Sequence, residues 1–223
     1  FREFSKKLGF EVPNYYTDLQ KMLENPEVDA IICAIPWRFI RPIAEEIINS
    51  GKPALLECPP GASPAEIDRL DRLAKKHGVK VMPGHCYRFS PCFRKAKELL
   101  KKIGEPILIH FQELVPAASL ARQWPSGSWI WKREQGGPVP TMTVFAMDLA
   151  RWITNSEPSA VFSTLSWQKF PNLGTLGYTL TATVKFRNGS VWNSEFSGSV
   201  SESLGSPMRL EIIGRKGDPY ALH

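Results

Sequence analysis

The chain has 223 residues, with 28 Lys and Arg against 22 Asp and Glu, 43% hydrophobic residues and a net charge of +6. These are ordinary values for a globular protein, and they exclude a collagen, a coiled coil, a disordered tail and a disulfide-dense mini-protein. No apolar run approaches the ~20 residues that a membrane-spanning helix needs, and the length suits one large domain or two small ones.

The first half alternates helix and strand. Phe1 to Leu8 reads as the end of a helix stopped by Gly9, and Thr17 is placed to cap a short helix through Glu24. Asp29 to Ile35 is a nearly continuous apolar run, as in a buried parallel strand. Pro42 opens a helix to Ser50, and Pro53 to Glu57 is the next strand. Ser63 and Glu66 form a capping box for a helix ending at Gly78. Val79 to Met82 is a third strand, and Ser90-Pro91 starts a basic helix that ends near Gly104. Repeated strand–helix units predict a parallel sheet covered by helices.

The second half changes character. Pro106 to Val115 alternates like a strand, and 116–135 reads as a long loop carrying Trp124, Trp129 and Trp131. Thr143 to Ile153 reads as a helix, and strands follow near 159–169, 176–187, 190–197 and 207–213. Asn188-Gly189 between two apolar-alternating runs is a hairpin signal. The expected architecture is therefore α/β followed by α+β. An incomplete Rossmann-type parallel sheet domain (1–88) precedes an α+β domain with a mostly antiparallel sheet (89–223).

The basic charge is local. Between Gly61 and Gly104 there are 11 Lys/Arg and 4 Asp/Glu, so the rest of the chain is close to neutral. The solvated faces of two helices account for this better than a nucleic-acid surface, which would add stacking aromatics or a known motif. No Cys pair has C-x-x-C spacing and the His residues at 77, 85, 110 and 223 are scattered, so neither a disulfide framework nor a protein-built metal site is expected. Open α/β sheets bind ligands at the carboxyl ends of their strands. Here those ends carry Ala34-Ile35-Pro36-Trp37, Glu57-Cys58-Pro59-Pro60 and Gly84-His85-Cys86-Tyr87-Arg88. A cleft between this edge and the second domain is the default ligand site.

These residues, taken in order, resemble the glucose–fructose oxidoreductase/inositol dehydrogenase family (Gfo/Idh/MocA). Asn25-Pro26-Glu27-Val28-Asp29-Ala30 is similar to the family's entry to a strand, and Ala34-Ile35-Pro36-Trp37 stands where the family has A-T-P-N. Ser50-Gly51-Lys52-Pro53 followed by Glu57-Cys58-Pro59 stands at its G-K…E-K-P. Arg88-Phe89-Ser90-Pro91, Gly104-Glu105-Pro106 and the block from Gly136-Gly137 to Asp148-Leu149-Ala150-Arg151-Trp152 complete the set. The resemblance runs almost end to end. It implies a two-domain fold, NAD or NADP as cofactor, a small-molecule sugar or cyclitol substrate and a homo-oligomer; from composition and charge, a cytoplasmic protein with no nucleic-acid or membrane partner is expected.

The resemblance also implies absences. The family's first strand, Gly-rich phosphate loop and second strand have no counterpart in this sequence, in which no G-x-G-x-x-G occurs. The expectation is a fragment of a longer gene product, short at its C-terminus too, whose missing first strand would neighbour Asp29–Ile35. The family's E-K-P Lys is Cys58, its paired Asp and His are Thr141 and Phe145, and the His of T-P-N-x-x-H is Ile40. Phe145 cannot move a proton. Cys58 and Thr141 can donate hydrogen bonds, and His85 is the candidate substitute base. Cofactor contacts are expected at Ala34, Ile35, Pro36, Trp37, Glu57, Cys58 and Pro59. Substrate contacts are expected at Arg88, Trp129, Trp131 and Phe145.

Other readings stand beside these. Cys58 is either an inert filler or a ligand contact. Arg88 either makes an ion pair between domains or touches substrate, and Asp148 orients its helix or pairs with Arg151. The Trp-rich loop is packing, subunit interface or lid. The lost Lys, Asp and His leave two functional classes open: a hydride-transferring oxidoreductase, or a non-catalytic ligand-binding relative such as a sugar-responsive regulator.

Overall fold

The structure is a computed structural model. It describes residues 2–7, 9, 14–124, 127–131, 138–170, 175–205, 207–216 and 220–222. The chain divides into two compact units, Phe1–Pro83 and Gly84–His223.

The first unit runs α1 (Arg2–Lys7), α2 (Leu19–Glu24), β1 (Ile31–Cys33), α3 (Ile40–Asn49), β2 (Ala54–Leu56), α4 (Pro64–His77) and β3 (Val81–Pro83). The three strands pair in parallel in the order β1-β2-β3, with Ile31, Ala54 and Val81 in register. Burial follows the helices. Ile31, Cys33, Ala54 and Leu56 are buried, as are Ile40, Ala44, Ile47 and Ile48 of α3. Ile32 and Met82 on the alternate positions of β1 and β3 are exposed.

Local chemistry shifts several boundaries. Asp18, not Thr17, caps α2: its Oδ1 accepts from the Gln20 amide at 2.8 Å. α3 begins at Ile40, two residues ahead of Pro42, after a 3-10 turn at Trp37–Phe39. Proline fits there because the first turn's amides have no intrahelical acceptor to lose. Ser63 caps α4, whereas Glu66 accepts from the Ala62 amide at 2.8 Å rather than from Ser63 itself. The α4 helix stops at Gly78, which adopts the left-handed conformation with φ 65°.

The second unit runs α5 (Pro91–Ile103), β4 (Pro106–Pro116), α6 (Ala117–Gln123), α7 (Pro138–Thr154), β5 (Pro158–Phe170), β6 (Thr175–Phe186), β7 (Val191–Val200), β8 (Met208–Gly214) and β9 (Tyr220–Leu222). Its sheet has the order β5-β6-β7-β4-β8-β9. Every neighbouring pair is antiparallel except β4 with β7. Residues 116–135 read as a loop in the sequence, but the stretch opens with α6. Ala117 and Leu120 of that helix are buried, and a run of Ala, Leu, Arg and Gln is good helix-forming material.

Helices α5, α6 and α7 cover one face of this sheet. Phe111 of β4 sits at the centre of the core. Its ring stacks on Trp192 of β7 at 5.5 Å between centroids and meets Phe93 of α5 and Phe196 of β7. Ala146, Leu149, Ala150 and Ile153 supply the α7 stripe. The Lys97 ammonium of α5 donates to the Trp152 and Ile153 carbonyls at the end of α7. The hairpin signal is realised at Asn188-Gly189, with Gly189 at φ 89°. Asn188 also donates to the Thr154 carbonyl at 3.0 Å, tying the turn to the end of α7.

The opposite sheet face carries rows of polar side chains, with the exposed Phe162 across from Thr183 among them. Thr164 meets Thr181 at 2.8 Å, Thr183 donates to Asn193 at 2.8 Å, and Gln112 donates to Glu195 at 2.7 Å. A shallow depression of about 230 Å³ lies here, lined by His110, Gln112, Glu195, Arg209 and Glu211 among others.

Candidate functional site

In the first unit, the parallel arrangement puts the turns after β1 and β2 at the same end of the sheet. Ala34 and Glu57 are exposed there, and Ile35, Pro36 and Pro59 are partly exposed. Trp37 is buried, and its indole Nε1 has no hydrogen-bond partner among the described residues. Cys58 is 2% exposed, precedes Pro59 across a cis peptide, and takes the Glu57 carboxylate on its amide at 2.9 Å. Burial pushes the Cys33 thiol at the end of β1 upward from its ordinary value, so it stays a neutral thiol at physiological pH.

A nicotinamide nucleotide fits this edge in part. The orphaned Trp37 N–H is a buried donor in need of an acceptor, and carbonyl and ribose oxygens are suitable ones. The pyrophosphate is a different matter, because the chain has no G-x-G-x-x-G to bring backbone amides against it.

In the second unit, the 3-10 segment Cys86–Phe89, α7 and β4 build a mixed polar and aromatic cluster. At its centre is Asp148, 5% exposed, which receives Arg88 Nε at 2.6 Å and Arg88 Nη2 at 2.5 Å. Two parallel charge-assisted bonds fix both groups. His85 Nε2 stands 3.8 Å from the same carboxylate, and the His85 ring meets the edge of Phe145 at 6.4 Å between centroids. Phe145 and Asp148 share a face of α7 because they are three residues apart.

Desolvation holds the His85 imidazole below its ordinary pKa; Asp148 opposes that shift, and Arg88 and Arg151 reinforce it. Burial outweighs the attraction of the carboxylate, since Arg88 already balances Asp148's charge. The second half of the cluster is Tyr87, whose ring lies 5.4 Å from Phe145 and whose hydroxyl donates to Glu113 Oε1 at 2.9 Å. Burial raises Glu113, and the Tyr87 bond only partly offsets it. Burial, followed by the neighbouring Glu113, raises Tyr87 and Tyr178 far above the ordinary phenol range, so both remain hydrogen-bond donors. Glu113 Oε2 and Thr141 Oγ1 are buried without a partner among the described residues.

The structure thus brings His85, Arg88 and Phe145 together, with Thr141 one helical turn before Phe145. Asp148 pairs with Arg88 and not with Arg151, which instead forks onto Glu157 at 2.6 and 2.8 Å. Trp131 is committed locally: its Nε1 donates to the Trp124 carbonyl at 2.7 Å. Trp129 belongs to the same 3-10 turn, but its side chain, like Gly136-Gly137, lies outside the described residues. Sequence reasoning names Tyr87 only within the segment after the third strand, and misses Glu113. The signal was available, because Glu113 falls on an inward position of β4 between Phe111 and Val115, where a carboxyl group is out of place. No group of three His, Cys, Asp or Glu residues able to hold a metal occurs among the described residues, and no described helix is long and apolar enough to cross a membrane.

The first unit is thus a parallel α/β sheet and the second a helix-backed mixed sheet. The oxidoreductase family with NAD-binding Rossmann fold matches residues 1–85, and the GFO/IDH/MocA C-terminal domain matches residues 93–218. The chain belongs to the Gfo/Idh/MocA family. It is 29% identical over 224 residues to myo-inositol 2-dehydrogenase of Thermotoga maritima, covering 99% of this chain and 64% of the relative. It is 24% identical to the NAD(+)-dependent scyllo-inositol 2-dehydrogenase of Bacillus subtilis, covering 98% and 61%. Scyllo-inositol dehydrogenase from Lactobacillus casei, solved with NAD(H) and scyllo-inositol, superposes with a TM-score of 0.78 at 26% identity, covering 98% of this chain and 63% of that one. The chain spans under two thirds of the length of these relatives.

Proposed function

We propose that the protein is an NAD(P)-dependent oxidoreductase that interconverts a secondary hydroxyl of a cyclitol or sugar and the corresponding carbonyl. The observation that carries this reading is the ordered match of both units to the nucleotide-binding and C-terminal domains of one oxidoreductase family. When bound, the nicotinamide accepts or returns the hydride. Trp37, with Ala34, Ile35, Pro36, Glu57, Cys58 and Pro59 around it, holds the cofactor's sugar and base edges at the ends of β1 and β2. In the second unit, Arg88 keeps Asp148 in place, Thr141 offers a hydroxyl to the substrate, and Phe145 supplies an apolar wall. The polar sheet face is the surface for self-association in this reading, and the protein is cytoplasmic with no nucleic-acid or membrane partner.

A second reading is favoured by one specific observation. The three positions where the family carries its Lys, Asp and His are Cys58, Thr141 and Phe145 here. A ligand-binding relative without turnover would need none of the three. The two readings separate in one experiment on the full-length protein, with NAD and NADP each tried against a panel of inositols and sugars. Nicotinamide absorbance reports turnover, and cofactor fluorescence reports binding. Turnover of any panel member supports the oxidoreductase. Cofactor binding with no turnover establishes the second reading, and failure to bind either nucleotide sinks both.

A further inference from the structure

The family's proton-handling side chains are replaced on α7, yet the geometry around Phe145 places another titratable group beside it. We propose that His85, held against the buried carboxylate of Asp148, is the acid/base that exchanges the substrate's hydroxyl proton, with Asp148 as its positioning residue. This rests on the oxidoreductase reading.

Four observations converge on it. First, His85 touches Phe145, the residue at the family's His position, edge to face. A base on the 3-10 segment can therefore serve the place that a base on α7 has vacated. Second, Nε2 faces a carboxylate that is itself 5% exposed and clamped by Arg88. A fixed carboxylate 3.8 Å from an imidazole stabilises, through space, the cation formed when the ring takes a proton. Third, the His85 side chain keeps 21% of its surface, so a ligand can reach it, unlike Asp148. Fourth, the charged groups facing His85 come from two elements: Arg88 from its own segment, Asp148 and Arg151 from α7. Their balance with burial leaves the ring neutral at physiological pH, the form that accepts a proton.

The step balances without a further reagent. In oxidation the carbinol C–H bond breaks and its electron pair leaves as hydride to the oxidised nicotinamide. The O–H bond breaks, its electrons form the carbonyl π bond, and the proton passes to the His85 imidazole. Solvent then removes that proton. Reduction runs the same path backwards from the imidazolium.

The test uses His85→Asn, His85→Ala and Asp148→Asn in the full-length protein. Myo-inositol, or whichever panel polyol turns over, is the probe. His85→Asn is expected to lower kcat about 100-fold or more, as for loss of a positioned acid/base, with KM changed little. Added imidazole is expected to restore part of the His85→Ala rate, which a merely structural histidine would not allow. The acidic limb of the kcat/KM profile is expected to vanish in His85→Asn and to move to lower pH in Asp148→Asn. A readout free of activity is the ring resonance of His85 in the cofactor-free protein, assigned by its loss in His85→Asn. It should titrate below an ordinary histidine, and lower still in Asp148→Asn. Wild-type turnover with His85→Asn within threefold of it overturns the proposal and leaves the oxidoreductase reading intact. A His85 titration unmoved by Asp148→Asn overturns the role of Asp148. No wild-type turnover with any polyol removes the oxidoreductase reading itself, and the proposal with it.

Discussion

Replacing Arg88 by Met and, separately, Asp148 by Asn should cost unequal amounts of stability. The two partners are unequally buried: the Asp148 side chain is 5% exposed and the Arg88 side chain 38%. Arg88→Met leaves a carboxylate shut away from water with its fork of donors gone. That penalty runs to about 3–5 kcal/mol for a buried charge stripped of its partner. Asp148→Asn keeps the shape and one acceptor oxygen, and it releases a guanidinium that already reaches solvent. After allowance for that solvation, the loss should be about 1–2 kcal/mol. Urea unfolding followed by tryptophan fluorescence measures both, since Trp124, Trp129, Trp131, Trp152, Trp167 and Trp192 all belong to the second unit. The reasoning fails if Asp148→Asn costs as much as Arg88→Met, or if neither costs more than about 0.5 kcal/mol, the size of an exposed pair.

Two further outcomes follow from close packing and burial. A Cβ on Gly214 would lie 2.3 Å from the Ile103 carbonyl oxygen, whereas one on Gly198 would meet only the side chains of Leu120 and Tyr178 at 2.7 Å. Gly214→Ala should therefore cost about 3 kcal/mol and Gly198→Ala about 1–2 kcal/mol, because side chains can yield and the end of α5 cannot; equal midpoints in urea would contradict this. Glu113 is raised in the folded chain, so its neutral form is the one that folding favours. Its contribution is intact below the ordinary glutamate value of about 4.3 and is lost as pH rises through the folded value. Glu113→Gln should match wild type near pH 4 and become progressively the more stable of the two toward neutrality. A melting-temperature difference that is flat with pH would show that Glu113 ionises freely.

Much of this was legible in the residues, for physical reasons that differ along the chain. Capping is local chemistry, so Ser63, Gly78 and Asn188-Gly189 mark their boundaries in the sequence itself. The three parallel strands are readable as apolar runs, but the first two runs extend beyond their paired residues, and the third starts two residues early and stops one short of Pro83. Helix α6 was hidden because its first residue follows a proline and its apolar face is only Ala117 and Leu120. The parallel pairing of β4 with β7 was beyond reach: alternation shows which face is buried and says nothing of which strand lies alongside. At the site, His85 and Arg88 were visible as polar residues after a strand. Their common partner was not, because Arg151 is nearer to Asp148 in sequence and only the folded chain brings Arg88 there across 60 positions.

The place of β4 in its sheet has a consequence for how the chain is made. His110 pairs with Asn193 on one side and Glu211 on the other, so both flanking strands are synthesised long after β4 itself. At roughly 5–20 residues per second, the ribosome needs on the order of 5–20 s to bring β8 out after β4. Until β7 emerges, a strand carrying Ile107, Ile109 and Phe111 has two unpaired edges. The first element able to shelter its inner face is α5, already emerged, through Phe93 against Phe111, with α6 and α7 following. The order of emergence thus makes α5 the natural early partner of β4. A chain paused between residues 116 and 190 would be the stage most in need of a chaperone.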